Sequence, residues 1–348
     1  MAKFSAISWA RASLGNLEVP YSLAGRAHAF VFDGHSVRIS IPRFEVGPDF
    51  NPVGKSGRIA TLSEWTSTDG LSSAWYQIAC VEIEIDIPKA LDAKAGTFDR
   101  PPNAFDLYST AEQGANTAVT LEYSTRMWAA YQHWLRVCRW VTGQWLLGDP
   151  TASAKSGYPR LDYARIKRKN DLKDFWALGG YVHLLRTAKI GDGPWLQIQH
   201  ALAAHAQPPA WITFLAQAAD RIHAEDPTGA LLSCAIACET VARAAYFTAA
   251  GSPPNEVVED LMQRVAAQAV IDRWSALTGS GAKAPEVKKL HALFDQRNKV
   301  IHAGNIEDLT IAKVKTYFDA AITFVDVADK WYFEARSEVN FRVPLDVV

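Results

Sequence analysis

Cysteine is scarce: Cys80, Cys138, Cys234 and Cys238 are the only four in 348 residues, too few and too scattered for a disulfide framework. The close pair, Cys234 and Cys238, stands four apart in an apolar helical stretch instead of at zinc-knuckle spacing, which predicts reduced, buried thiols. Net charge is nearly absent, at −1. Residues 1–205 hold 22 Lys and Arg against 19 Asp and Glu, and residues 206–348 hold 14 against 18. Neither half is basic enough to announce nucleic acid by charge alone, so any RNA must be held by a local patch. The opening MAKFSAISWARASLG has no apolar run long enough for a signal-peptide core, and no stretch approaches the roughly 20 apolar residues of a membrane span. A cytoplasmic protein with no membrane partner is therefore expected. Hydrolase and zinc-protease signatures of the GxSxG and HExxH kinds are missing too. GPDFNPVGKSG contains GKS, but six residues separate Gly47 from Gly54 where a phosphate loop needs four. His200 and His205 have no third ligand at metal spacing. No metal and no cofactor are expected.

What is present is ordinary globular composition, 49% hydrophobic and 21% charged, in a chain long enough for two domains with real cores. The first 110 residues read as strands and turns. AHAFVF and SVRISI flank Asp33 and Gly34, the signature of a tight hairpin. In QIACVEIEIDIP, Val81, Ile83, Ile85 and Ile87 alternate with Glu82, Glu84 and Asp86, predicting a strand with one packed face and a wet acidic row. LDAKAGTFDRPPN is a Pro/Gly loop. The stretch ANTAVTLEYSTRMWAAYQHWLRVCRWVTGQW then predicts one long helix, its Leu121, Met127, Trp128, Tyr131, Leu135, Cys138 and Val141 recurring at threes and fours. Such an aromatic stripe belongs in a core more often than on a base-stacking platform. RLDYARIKRK and YVHLLRTAKI follow as strands.

From about residue 208 five helical patterns succeed one another: PAWITFLAQAADRIHAED, TGALLSCAIACETVARAAYFTAAG, PNEVVEDLMQRVAAQAVIDRWSAL, PEVKKLHALFDQRNKVIHAG and EDLTIAKVKTYFDAAITFVDVADKWYFEA. DPTG, AGSPP, GSGAKAP and GN separate them, each with Gly or Pro suited to helix ends. Gly304 ends the fourth helix, and Asn305, with Asp308 three residues on, is the expected cap of the fifth. The fold expected is α+β over residues 1–204, β-rich with one long helix, followed by an all-α bundle over 205–340.

The fourth helix carries the chemistry. LFDQRNKVIHAGN groups Arg297, Asn298 and His302 in an otherwise apolar segment, where each would cost several kcal/mol if buried without a partner. Of the nine His in the chain, only His302 has an Arg five positions before it. In ALLSCAIACETVARAAY, Glu239 stands at the margin of an inward face marked by Leu231, Ala235, Cys238, Ala242 and Ala245. A carboxylate there needs a cation. These residues resemble the HEPN family, whose nuclease members carry an Arg, a polar residue and a His a few positions later in the penultimate helix, and a Glu in the first long helix that orients the Arg. The lead-in PPAWITFLAQAADRIHAEDPTGALL looks like the Apea-like subgroup, which often has an unrelated β-rich region in front. The resemblance covers about residues 205–335. It implies that Glu239 orients Arg297, with Arg243 as a competing partner one turn away.

The function implied is metal-independent endoribonuclease activity by internal attack of a 2′-hydroxyl. That reaction needs a general base or acid, for which His302 is the candidate, and a cation against the phosphorane, for which Arg297 is; Asn298 completes the group. On a straight helix Asn298 and His302 fall about 40° apart, but Arg297 and His302 about 140°. The Arg side chain reaching round, a helix distortion before Gly304, or a second protomer would bring them together. HEPN nucleases generally build the site at a dimer interface, so the resemblance favours a homodimer through the bundle. By the same resemblance the protein is a growth-arresting effector of prokaryotic antiviral defence that cleaves RNA, tRNA among the candidates, under the control of a triggering or inhibitory protein. The residues alone also allow a blander account, in which Arg297 and Asn298 tie down a helix end and His302 complements its dipole. The bundle would then be a non-catalytic dimerisation or nucleotide- or partner-binding module behind an amino-terminal sensor. For gripping RNA, the densest basic run is YPRLDYARIKRKNDLK, with Arg160, Arg165, Lys167, Arg168 and Lys169, joined by Lys299 within the motif.

Overall fold

The computed structural model describes residues 3–54, 60–64, 74–92, 111–145, 147–148, 161–168, 188–251, 256, 265–303 and 309–343. Two units emerge, Met1–Gln207 together with Arg342–Val348, and Pro208–Phe341.

In the first unit the alternation of residues 81–87 belongs to an 18-residue strand, β5 (Trp75–Asp92), which runs antiparallel to an equally long β1 (Lys3–Pro20). The hairpin of β2 (Ala27–Phe32) and β3 (His35–Ser40) joins β5 along its other edge. β4 (Ala60–Glu64) extends that edge, while β6 (Leu161–Arg168) and β7 (Ala188–Lys189) flank β1. β7 is parallel to β1 and the other pairings are antiparallel. Register shifts between Phe4 and Ala6 and between Ser13 and Leu17 bend the long strands, and the sheet curls into a half-barrel. Asp33 (φ 49°) and Gly34 (φ 74°) are both left-handed, as a two-residue hairpin turn with the twist of its strands requires.

Val81, Ile83, Ile85 and Ile87 are buried as the alternation predicts. The acidic row is not simply wet. Glu82 lies 2.7 Å from Arg11 of β1 and Glu84 lies 3.4 Å from Arg38 of β3, because β5 is an interior strand whose neighbours on both sides supply cross-strand cations. Helix α1 (Ala111–Thr142) crosses the sheet, and its Met127, Tyr131, Trp134, Leu135, Cys138, Trp140 and Val141 are buried. The aromatic stripe is core, although Trp128 stays half-exposed.

Helix α2 (Asp192–Ala203) was not among the expected elements. It buries Trp195, Ile198, Ala201 and Leu202 against β2 and α1. The joint is made by His28, whose ring stacks on Trp195 at 3.7 Å. Trp134 donates its indole N–H to Nδ1 at 2.9 Å, so the proton of the neutral ring sits on Nε2, which donates to the Trp195 carbonyl at 2.9 Å. Burial lowers the His28 pKa to about 4. The segments 93–103 and 181–187, expected as a loop and part of a strand, lie outside the described residues.

The second unit is helical: α3 (Ala210–His223), α4 (Pro227–Ala250), α5 (Ala267–Asp272), α6 (Trp274–Thr278), α7 (Val287–Ala303) and α8 (Ile311–Arg336). Asp226 caps α4 by accepting from the Gly229 N–H at 2.9 Å, with Pro227 in the first turn. Contrary to the expectation that no segment approaches a membrane span, α4 is long and apolar enough to cross one by length and composition, with a mean hydropathy of 1.3. Here it is the central helix, packed against α3, α7 and α8, with Leu231, Cys234, Ala235, Cys238 and Val241 fully buried. Burial pushes the Cys234 and Cys238 thiols well above their usual range. The third helical pattern is broken at Arg273, which separates α5 from α6. α8 is capped by Thr310, which accepts from the Lys313 N–H at 3.3 Å. The helix starts three residues beyond Asp308, so Asn305 is not its cap; Gly304, Asn305 and Asp308 lie outside the described residues. Trp211 of α3 donates to the buried Asp329 of α8 at 2.7 Å, a hydrogen-bonded tie across the bundle.

Candidate active site

α7 packs through Leu290, Leu293, Phe294 and Val300, all buried, the threes-and-fours spacing of a single helix face. Arg297 stands at the margin of that face, between Phe294 and Val300. Its stem can therefore lie along the core while the head reaches outward. Glu239 occupies the matching margin of α4, one position after the buried Cys238. The two margins meet, with Arg297 Nη2 3.6 Å from Glu239 Oε2. Arg243, one turn on along α4, lies 2.9 Å from Glu239 Oε1. The carboxylate thus takes one guanidinium on each oxygen, and Arg243 does not displace Arg297. Arg297 also donates to Asn298 Oδ1 at 3.1 Å. One carboxylate serves two guanidinium groups, which leaves a local excess of positive charge. The Arg243 Nε is buried with no hydrogen-bond partner among the described residues.

His302 is exposed in the last turn of α7. Among the described residues no hydrogen bond or ion pair engages its ring. Residues 297–302 are helical without interruption, so the distortion that would swing His302 toward Arg297 is absent. The two side chains leave the helix about 140° apart. Asn298, Lys299 and Ile301 are exposed beside His302.

The basic run of the first unit falls on the edge strand β6, whose backbone register is described for Arg165, Lys167 and Arg168; Arg160 and Lys169 lie outside the described residues. Across β1 the register forms rows. Trp9 stands between Glu84 and Arg165, Ile7 between Asp86 and Lys167, and Arg11 between Glu82 and Asp162. Arg165 and Lys167 of β6 are thus registered with Glu84 and Asp86 of the acidic row, an intramolecular complement that the linear sequence does not display, whereas Arg168 falls in the row of Ala6 and Ile87.

Two further histidines belong to the first unit. His28 makes the buried joint already described, and His133 of α1 is buried against Phe30 and Phe32. Its pKa is lowered to about 4 by burial, with a smaller contribution from the Arg136 charge. Sequence reasoning singled out neither; the only signal was their place among aromatic residues. Among the described residues no group of three His, Cys, Asp or Glu could hold a metal ion. Comparison of the chain with protein families, curated proteins and solved structures gives no match, so the functional reading rests on the residues and their geometry.

Proposed function

We propose that the chain is a metal-independent endoribonuclease of the HEPN type, with Arg297, Asn298, His302 and Glu239 as its working residues. The observation that carries the reading is the Glu239 carboxylate shared between Arg297 and Arg243. An ion pair to Glu239 holds the guanidinium in one orientation, which spares the reaction that ordering cost. The second guanidinium compensates the carboxylate, so the neighbourhood still attracts a phosphate.

In the reaction, the ribose 2′-oxygen attacks the adjacent phosphorus and its proton passes to a base. The bond from phosphorus to the 5′-oxygen breaks, and that oxygen takes up a proton. The products are a 2′,3′-cyclic phosphate and a 5′-hydroxyl. An imidazole can serve either proton transfer, which is the role of His302. Arg297 stabilises the charge that builds on the phosphorane oxygens. Because the helix separates the two groups, His302 of one protomer works with Arg297 of another in a homodimer formed through the bundle. Cytoplasmic action on host RNA, tRNA included, as an antiviral growth-arresting effector under a triggering or inhibitory protein follows from the resemblance. Lys299 extends the phosphate contacts. The β6 run adds a second grip if its charge is not spent on the acidic row, and reversing Arg165, Lys167 and Lys169 together tests this by the salt slope of RNA binding.

One observation favours a second reading: an unbroken helix with its Arg and His on different sides suits a non-catalytic dimerisation or partner-binding module behind a sensor. Incubating RNA with the purified wild-type, Arg297→Ala and His302→Ala proteins in chelator separates the two. A nuclease yields cyclic-phosphate ends that disappear in both variants, whereas equal behaviour of all three proteins retires the proposal.

A further inference from the structure

The first unit contains a cavity of about 610 Å³, within the size range of small-molecule sites. The hairpin tip supplies Phe32, Asp33 and the Gly34 backbone, α1 supplies Ala129 and His133, and Leu202, His205 and Gln207 line its open side at and beyond the end of α2. His133 is buried and lines the cavity. Its neighbours are the rings of Phe30 and Phe32, at 6.1 and 5.4 Å between centroids, and among the described residues no hydrogen bond or ion pair satisfies its nitrogens. The ring lines the cavity, so an occupant can meet its donor and its lone pair.

The lining sets the chemistry of an occupant. No Lys or Arg lines the cavity. Arg126, one turn before Ala129 on α1, is committed to Glu122 at 2.9 Å and to His35. A phosphate or carboxylate would meet the Asp33 carboxylate with no Lys or Arg to oppose it, only the imidazoles of His133 and His205. A compact cation would leave the apolar wall and the imidazole donor unmatched. A neutral imidazole offers one N–H donor and one lone pair, Asp33 accepts only, and the Gln207 amide does both; Phe32 and the His133 ring give a flat apolar side.

We propose that this cavity is a binding site for a planar, uncharged nitrogen heterocycle of nucleobase type, presenting an N–H donor beside a lone-pair acceptor to His133, Asp33 and Gln207. The site is independent of the bundle and of the nuclease reading.

The test is calorimetric titration of the full chain with adenosine, guanosine, cytidine and uridine at pH 7, alongside their 5′-monophosphates. At least one nucleoside binds saturably with a Kd below about 1 mM, and its monophosphate binds more weakly. His133→Phe, which keeps a ring and removes both nitrogens, weakens binding about tenfold or more. Asp33→Asn, which tolerates the left-handed turn, does the same. If His133→Phe fails to fold, Asp33→Asn and Gln207→Ala decide. No saturable binding by any of the four nucleosides, tighter binding of the monophosphate, or unchanged affinity in the folded variants overturns the proposal.

Discussion

In the first unit His28 and His133 are buried among aromatic rings and held neutral, with pKa values lowered to about 4, and Glu82 and Glu84 are each met by an arginine from a neighbouring strand. In the second unit His302 stands exposed without a partner among the described residues, and Glu239 is met by two arginines. The same residue types are thus used in opposite ways. Burial holds the first two rings neutral, His28 as a strut and His133 at the wall of its cavity, whereas exposure leaves the third accessible for the role proposed for it.

The sharpest way to break this contrast is to remove the exposed group. His302→Ala should reduce RNA cleavage by about a thousandfold and leave the melting temperature unchanged; a loss of stability equal to that of a core substitution would make His302 a strut as well. Removing the buried group should do the reverse. His28→Ala leaves the Trp134 N–H and the Trp195 carbonyl without partners and opens a cavity, at a cost of about 3 kcal/mol, read as a lower denaturant midpoint at constant slope.

The contrast also has a pH signature. The folded pKa of His28, about 4, lies below its value of about 6.5 in an unfolded chain. The unfolded state therefore takes the proton first. Stability is complete above pH 6.5 and falls as the pH drops toward 4, by roughly 3 kcal/mol from this one residue, with His133 acting in the same direction. Denaturant titrations at pH 7 and pH 4.5 check it, and the wild-type difference should shrink in His28→Ala. The smallest effect belongs to Glu239→Gln, which keeps the shape and removes the charge. Cleavage should fall about tenfold as Arg297 loses its orienting partner. Activity unaffected by this change would mean that the shared carboxylate does not set the guanidinium.

How much was legible beforehand depended on the range of the cause. The β2–β3 hairpin was readable because Asp33 and Gly34 must both be left-handed, a requirement written in two adjacent residues. The inward face of β5 was readable from its period. The arginines that meet its acidic row were not, because they arrive from β1 and β3, 71 and 46 residues away. Helix α2 escaped notice because its short amphipathic pattern is completed only by packing on β2 and α1. The break at Arg273 carries no Gly or Pro to signal it. Asn305 and Thr310 are both good cap formers, so residue type alone does not choose between them. At the candidate site, Glu239 could be matched with Arg297 in advance because it stood at the margin of an apolar face, where a carboxylate needs a cation, and the family resemblance supplied Arg297 as that cation. That the carboxylate holds Arg243 as well, and that α7 runs straight through His302, required the coordinates.

The central claim is that Arg297 of one protomer works with His302 of another, and complementation of inactive variants tests it most directly. Arg297→Ala and His302→Ala proteins, each inactive alone, are co-expressed and the mixed dimers assayed on RNA. Half of the dimers should then be mixed and each should regain one intact site, so the account predicts about a quarter of wild-type activity. A mixture as inactive as either parent, beside an active wild type, would contradict the shared site, and a wild type without activity would contradict the nuclease itself.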